Sequence, residues 1–194
     1  MGDNASMTLT KCSIADSSNT ALQTFSVSLR TLNDFTVIIL PVVSGKMTIR
    51  CGAKVNIPGI LKMEGVSVIS NEDTATIAGT TPSIITSYKD DSGGDTNDDG
   101  EATKRAAGDW VGIACNSGSC GTIDAGRIKH AGQQSVVGGV WKSAAIITLG
   151  DAAPLFKDGE IRYSAGDGIL ILDQSSPSLG NLRFSDIAGA DINR

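Results

Sequence analysis

The stretch GEIRYSAG, residues Gly159–Gly166, decides the fold because two other stretches of the chain follow the same pattern. Each begins with glycine and continues with a polar, an aliphatic, a basic, and an aromatic or histidine residue before small residues follow. The other copies are GRIKHAG (Gly126–Gly132) and GNLRFSDIAG (Gly180–Gly189), at intervals of 33 and 21 residues. Short repeats of this kind, punctuated by glycine turns, predict a solenoid in which each copy stacks on the next.

Stacking of the three copies predicts which residues share a column. Paired strands lie about 4.8 Å apart, so Ile128, Ile161 and Leu182 are expected to form an inward aliphatic column. Pro154 and Pro177 are expected to occupy corresponding turns. Side chains alternate along a strand, so the positions two residues further along share the inward face: His130, Tyr163 and Phe184. An antiparallel sandwich is the alternative, but it would not explain the columns.

The outward positions of the same copies predict a basic column on an acidic protein. Lys129, Arg162 and Arg183 would form it, and like charges at strand spacing repel one another. Interleaved carboxylates such as Glu160 could neutralise the column, or an anionic ligand could. We therefore consider these three residues candidate ligand-binding residues, with a solvated charged face as the structural alternative.

Composition limits the function classes. The 194 residues suit one domain, with 40% hydrophobic and 19% charged residues. The net charge of -5 argues against nucleic-acid binding, which needs basic surface. No apolar run approaches the roughly 20 residues of a membrane span. The first ten residues lack the charged and apolar regions of a signal peptide.

Five stretches from Met47 onward follow one another in the order of a known family: MTIRCGAKVNI, AGT, PSIITS, GGDTNDDGEAT and AAGDWVGI. The chain resembles the right-handed parallel β-helix domains of bacterial cell-surface and secreted proteins, of the pectin-lyase-like superfamily. In those domains, GDTNGDG-type loops and a GDWGGI-type strand interrupt the early coils. The resemblance covers roughly Met47 to Ile192 and implies an extracellular or cell-surface scaffold, without implying one activity.

The repeat and the resemblance together predict an all-β fold. It would be a single-stranded right-handed parallel β-helix of about seven coils with an inserted acidic loop. Residues 1–45 are expected to form an N-terminal cap or first irregular coils. Residues 46–194 are expected to form the β-helix, all within a single domain.

The acidic loop predicts a structural calcium site. The stretch DTNDDG, Asp95–Gly100, fits the opening half of an EF-hand loop, and Ca²⁺ takes about six to eight oxygen ligands. Position twelve is Ala106, so the bidentate glutamate of that loop is missing. The predicted ligands are Asp95, Asn97 and Asp99, the carbonyl of Glu101, and Asp90, Asp91 and Asp109 as candidates to complete the set. A solvated acidic turn is the alternative.

The remaining chemical candidates are few. Cys115 and Cys120 could close a short disulfide loop in an oxidising compartment, or be two thiols near a turn. His130 could be a general base, but its repeat partners favour a packed histidine. Trp110 lies in a strand pattern and is expected to be a core or loop-anchoring residue. Trp141, in the predicted insertion GGVWKS, is the better candidate for binding at the surface, although a residue that covers the solenoid is the favoured alternative.

Two function classes follow. The first is a non-catalytic surface or secreted module, structural or binding carbohydrate in adhesion, with a calcium-stabilised loop. The alternative is a degenerate or unrecognised polysaccharide lyase or glycoside hydrolase acting on acidic polysaccharide. The RIK at Arg127–Lys129 resembles a polygalacturonase element, but the Gly-His-Gly element is absent, which favours the first class. A third possibility is a small protein that forms homo-oligomers through an exposed end coil.

Overall fold

Strands and turns make up the part of the chain that the structure describes. The computed structural model describes residues 27–29, 35–36, 42–49, 54–57, 59–72, 76–79, 83–92, 95, 99–100, 102–116, 121–124, 126–137 and 139–194. These residues form nineteen strands and no helix, which confirms the all-β prediction. In them there is accordingly no long apolar helix that could cross a membrane.

The strand bounds in chain order are β1 (Val27–Leu29), β2 (Phe35–Thr36), β3 (Val42–Ile49), β4 (Lys54–Ile57), β5 (Ile60–Glu72), β6 (Thr76–Gly79), β7 (Ile84–Ser87), β8 (Gly112–Asn116), β9 (Thr122–Asp124), β10 (Arg127–Lys129), β11 (Ser135–Val137), β12 (Val140–Lys142), β13 (Ala144–Leu149), β14 (Leu155–Lys157), β15 (Glu160–Ser164), β16 (Asp167–Ile171), β17 (Ser178–Gly180), β18 (Arg183–Ile187) and β19 (Ile192–Asn193). Most of the predicted N-terminal segment, residues 1–45, lies outside the described residues. The boundary at residue 45 therefore stays a prediction.

All of these strands except β11 and β12 pair in parallel, in three ladders. The first ladder is a sheet of its own, in the order β17-β14-β9-β6-β4-β2. The second ladder, β18-β15-β10-β7-β5-β3, and the third, β19-β16-β13-β8-β5-β3-β1, share the long strands β3 and β5 and so form one larger sheet. The chain visits the ladders in turn: β14, β15 and β16 place one strand in each, and β17, β18 and β19 pair with them.

The core contains one inward column of apolar side chains from each ladder. In the first ladder Ile77, Ile123 and Phe156 occupy paired positions. The second-ladder column contains Leu61, Ile85, Ile128 and Ile161, and the third-ladder column contains Ile69, Ile113, Ile146 and Ile169. All eleven residues are buried and belong to one cluster. Each buried aliphatic side chain contributes roughly 1.5–3 kcal/mol, so the columns bind the two sheets to a common core.

The register confirms one predicted column and corrects its last member. Ile128 pairs with Ile161, as predicted, but Ile161 pairs with Phe184 and not with Leu182. The prediction was wrong by two residues. Because side chains alternate with a period of two, a shift of two positions keeps every apolar residue on the inward face, so the apolar pattern fits both registers.

The turn before β18 distinguishes the two registers. Asn181 Nδ2 donates to Asp158 Oδ1 at 3.0 Å, and both residues have left-handed φ values, 51° and 53°. Asn and Asp tolerate this conformation better than other residues with a side chain. The matching of Pro154 with Pro177 is confirmed, since Ser178 N donates to Pro154 O at 2.9 Å.

Candidate functional site

Two insertions leave the fold at the same corner, where the chain passes from the second ladder to the third. The long loop, residues 88–111, connects β7 to β8. The hairpin, residues 133–143, contains the antiparallel pair β11–β12 and lies between β10 and β13. Their bases are hydrogen-bonded: Gln133 N donates to Trp110 O at 3.0 Å, and Gly132 N donates to Val111 O at 3.2 Å. The insertions are therefore neighbours.

Trp110 anchors the end of the long loop. Its side chain is fully buried, and the indole Nε1 donates to Lys129 O at 2.8 Å. The next strand begins at Gly112, which has φ +131° and where a Cβ would lie 2.5 Å from Ala145 O. Only glycine fits this close approach of backbones. The prediction that Trp110 is a core or loop-anchoring residue is confirmed.

Asp90 is the centre of a buried polar cluster beneath the long loop. Its carboxylate is fully buried and accepts bonds from Thr86 Oγ1 at 2.6 Å, Ser92 Oγ at 2.7 Å and Ser92 N at 3.1 Å. Burial alone would raise the pKa of Asp90, but these hydrogen bonds and the charge of Lys129 outweigh it and lower the pKa to about 2. Asp90 is therefore an anion at every physiological pH.

Cationic side chains surround this carboxylate. Arg105 NH1 lies 3.6 Å from Asp90 Oδ1, and Lys129 Nζ lies 3.9 Å from Oδ2. Lys62 in β5 is also fully buried, and its Nζ makes no hydrogen bond to the residues that the structure describes. Burial lowers the pKa of Lys62, although Asp90 and Asp91 act in the opposite direction. The negative charge of Asp90 thus acts on several cationic side chains.

His130 completes the cluster as a packed histidine. Its Nε2 lies 3.8 Å from Asp90 Oδ2, its ring stacks on Tyr163 with centroids 4.9 Å apart, and 5% of its side chain is exposed. Neither ring nitrogen has a hydrogen-bond partner among the described residues. Burial, the largest influence, lowers the pKa of His130, although the nearby Asp90 raises it. The ring is inaccessible to a substrate, which agrees with the prediction that His130 is a packed histidine and not a general base.

Asp109 connects the last residues of the long loop to the first. Its Oδ2 accepts from Ser87 Oγ at 2.7 Å and from Ala106 N at 2.9 Å, while its Oδ1 pairs with Lys89 Nζ at 3.1 Å. With Asp90, it gives the loop two largely buried carboxylates that hold it against β7. Both were predicted as candidates to complete a calcium site, and in the structure their oxygens bind protein donors.

The predicted calcium loop is described only in part. Asp95 Oδ2 accepts from Gly100 N at 2.7 Å and Asp95 Oδ1 from Asp99 N at 3.3 Å, which folds the loop around Asp95. Asn97 and Glu101 lie outside the described residues. Within the described ranges no three His, Cys, Asp or Glu residues gather into a group that could hold a metal ion, so Asp90 and Asp91 do not form such a group with Asp95 and Asp99. The calcium site stays a prediction.

The hairpin leaves apolar side chains exposed. Trp141 is 63% exposed, Val136 57% and Val140 55%, so Trp141 is at the surface, as a binding residue must be. Between the hairpin and the outer face of the third ladder lies a groove of about 510 Å³. Its apolar lining includes Val111, Ala114, Val137, Ile147 and Leu149, and its polar lining is Asn116, Gln134 and Ser135.

A second small apolar cluster supports this groove from beneath. Ala144, Ile147 and Leu170 are buried on the outer face of β13 and β16, with Val137 of the hairpin packed against them. The sequence carries a local signal for this cluster. AAIITL and GILIL are apolar at both alternating positions, which is typical of strands covered on both faces.

The predicted basic column is wrong in its third member. Lys129 pairs with Arg162, but the position after that is Ser185, and Arg183 pairs with Glu160. Lys129 is not an exposed charge either, since 15% of its side chain is accessible and it faces Asp90. The expected neutralisation is present: Glu160 lies 3.1 Å from Arg127 and 3.8 Å from Arg162.

The predicted disulfide lies partly outside the described residues. Cys115 is fully buried in β8, whereas Cys120 is among the residues that are not described. The bond between Cys115 and Cys120 therefore stays a prediction.

Comparison with known proteins finds no matching family model, no matching curated protein and no matching solved structure.

Proposed function

We propose that this chain is a non-catalytic binding module built on a right-handed parallel β-helix, and that its hairpin groove binds a saccharide. The observation that carries the proposal is Trp141, a large aromatic residue left 63% exposed over an apolar groove. The resemblance to surface and secreted proteins supports an extracellular or cell-surface location for the module.

The order of pairing supports the β-helix. A chain that places one strand in each of three parallel ladders and then begins again makes one coil per cycle. The third ladder contains seven strands, in keeping with about seven coils, and the three inward columns share one core.

Cross-linking tests the coil register. Leu155 and Ser178 are exposed register partners on β14 and β17, so the double variant Leu155→Cys/Ser178→Cys should form a disulfide under mild oxidation. The matched control is Leu155→Cys/Ser176→Cys, two residues out of register. Peptide mapping that finds both bonds equally, or only the control bond, would count against the stacked coils.

The chemistry of the groove suits a sugar. A pyranose ring has an apolar C–H face and a rim of hydroxyl groups. The indole of Trp141 offers a flat apolar surface with a polar N–H, and Gln134 and Asn116 are polar residues that line the groove. Apolar walls with a few polar groups are the usual composition of a ligand site.

Calorimetric titration with a panel of neutral and acidic oligosaccharides tests the saccharide proposal. At least one member should bind, Trp141→Ala should abolish measurable binding, and Trp141→Phe should retain part of it. The control is Leu155→Ala, an exposed apolar residue of the first ladder. No binding by the unmodified chain, or equal loss in the control, would contradict the proposal.

The lyase or hydrolase alternative is tested with the same saccharides. The histidine and carboxylate of the Asp90 cluster are buried, which supports a structural role for that cluster. We expect no release of reducing or unsaturated ends from acidic polysaccharides. Release that is lost in a His130→Asn variant with unchanged folding would favour the enzyme.

The calcium proposal rests on the spacing of Asp95, Asn97 and Asp99 and on the turn around Asp95. A bound ion would pin the loop and would have a structural role. Thermal unfolding with calcium and with chelator is the test: a higher midpoint with calcium is expected in the native chain and not in Asp95→Asn. Equal midpoints with calcium and with chelator in the native chain would contradict the proposed calcium site.

A homo-oligomer through an end coil is a subordinate proposal. The strands β17, β18 and β19 each pair on one side among the described residues, and an unpaired strand edge can accept another strand. Light scattering over a range of protein concentrations is the test. A mass of one chain at every concentration would exclude it.

A further inference from the structure

We infer that the saccharide of the hairpin groove is neutral and carries an N-acetyl group, as an N-acetylhexosamine does. This inference rests on the proposed function and adds the class of sugar. Three features of the groove carry it: the charges around it, its apolar floor, and a buried hydroxyl that has no hydrogen-bond partner among the described residues.

The charges around the groove favour a neutral ligand. None of the described residues that line it is charged. Lys142 in β12 and Glu72 in β5 are register partners of two lining residues, and their charges have opposite signs. Of the carboxylates two residues along the chain from a lining residue, Asp109 pairs with Lys89 and Asp151 is exposed. The groove therefore has no excess of positive charge to offset the cost of desolvating an anionic sugar.

The floor of the groove suits a methyl group. On the outer face of the third ladder, the lining residues Ala114 and Ile147 are register partners. Ile147 is buried in the small apolar cluster against which Val137 of the hairpin packs. The side chain of Ala114 is shorter than that of Ile147, which leaves room above it. An acetyl methyl that packs there leaves water for apolar contacts, a gain of about fourfold in affinity.

Ser135 provides a polar partner for the same substituent. Ser135 lines the groove, and its Oγ is buried without a hydrogen bond to the residues that the structure describes. A buried hydroxyl without a partner is unfavourable, so a ligand that supplies the missing bond gains affinity. The amide of an N-acetyl group has an N–H donor and a C=O acceptor next to its methyl. One substituent thus carries both properties that the groove requires, while the sugar ring stacks on Trp141.

Calorimetric titration of the full chain with three disaccharides tests the class of sugar. They are N,N′-diacetylchitobiose, cellobiose, which has hydroxyls in place of the acetamido groups, and digalacturonate, which is acidic. The acetylated sugar should bind about tenfold more tightly than cellobiose, and digalacturonate should bind most weakly. Cellobiose or digalacturonate that binds at least as tightly as the acetylated sugar would overturn the inference. If Trp141→Ala abolishes that binding, the saccharide proposal still stands; no heat with any sugar would contradict both.

Two variants locate the acetyl group. Ser135→Ala should weaken binding of N,N′-diacetylchitobiose about fivefold and that of cellobiose less, without lowering the thermal midpoint, because the hydroxyl has no partner among the described residues. Ala114→Leu fills the space above the floor and should also weaken the acetylated sugar more than cellobiose. The matched control is Ser178→Ala, an exposed serine of β17, which should change neither affinity. Equal weakening of both sugars by Ser135→Ala, or equal effects of Ser135→Ala and Ser178→Ala, would overturn the inference.

Discussion

Trp110 and Trp141 belong to neighbouring insertions at one corner of the fold, and their surroundings are opposite. Trp110 is fully buried and donates its indole hydrogen to Lys129 O. Trp141 is 63% exposed, beside two exposed valines. A buried tryptophan stabilises the fold by the area that it removes from water, whereas an exposed one keeps that area for a ligand. The two rings lie at the same corner, so the burial of each ring, and not its position, determines how much it stabilises the fold.

The largest effect should come from removing the buried ring. Trp110→Ala is expected to lower the free energy of unfolding by about 3–5 kcal/mol, because it leaves a cavity and an unpaired carbonyl at Lys129. Chemical denaturation measures it. A loss of stability no greater than that of Trp141→Ala would contradict the claim that the buried ring stabilises the fold more than the exposed one.

The next effect concerns the polar cluster under the long loop. Asp90→Asn keeps the shape of the side chain but removes a buried negative charge near Lys62 and Lys129, and should cost about 3 kcal/mol. The control is Asp191→Asn, an exposed carboxylate, which should change stability by less than about 0.5 kcal/mol. Similar losses in both variants would show that Asp90 does not balance these cations.

The pH dependence of stability tests the burial of this polar cluster. Burial holds the pKa of His130 below its ordinary value of 6.5, so below that pH the unfolded chain binds a proton that the folded chain resists. Stability should be full above pH 6.5 and fall as the pH drops toward 5, by at most about 1.4 kcal/mol per pH unit. Asp90 has a lowered pKa of about 2, so its contribution is lost only between about pH 4 and 2.

His130→Asn tests the assignment of this slope. Asparagine does not titrate, and it tolerates the φ of 60° that His130 adopts. The variant should flatten the dependence of the free energy of unfolding between pH 7 and 5. A slope that persists unchanged would assign it to other groups.

The smallest effect on stability should come from the exposed ring. Trp141→Ala is expected to change the free energy of unfolding by less than about 0.5 kcal/mol, since the side chain loses little burial. Its consequence should instead be in ligand binding. A loss of several kcal/mol would show that the hairpin is part of the core.

The sequence predicted the regular part of this molecule better than its site. Alternation of apolar residues and the repeated glycine turns were sufficient for strands and for the pairing of Ile128 with Ile161. They could not place Phe184, because a two-residue shift preserves alternation. Only the turn at Asn181, with its side-chain bond to Asp158, distinguishes the two registers.

The polar cluster was missed because its members are far apart in sequence. Lys62, Asp90 and His130 come from three different segments, and only the stacking of β5, β7 and β10 brings them together. One local signal was present: Lys62 interrupts the apolar run of ILKM, and a charge at such a position requires a buried partner. The Asp90 carboxylate, predicted as a calcium ligand, is the first of two carboxylates whose charge favours the protonated form of Lys62, and Asp91 is the second.

The division of roles between the two tryptophans is tested most directly by fluorescence quenching of single-tryptophan variants. Trp110→Phe keeps only Trp141, and Trp141→Phe keeps only Trp110, because the chain has two tryptophans. With acrylamide as quencher, Trp141 should be quenched strongly, and Trp110 scarcely until the protein is denatured. Equal quenching of the two rings in the folded state would contradict the assignment of one to the core and the other to binding.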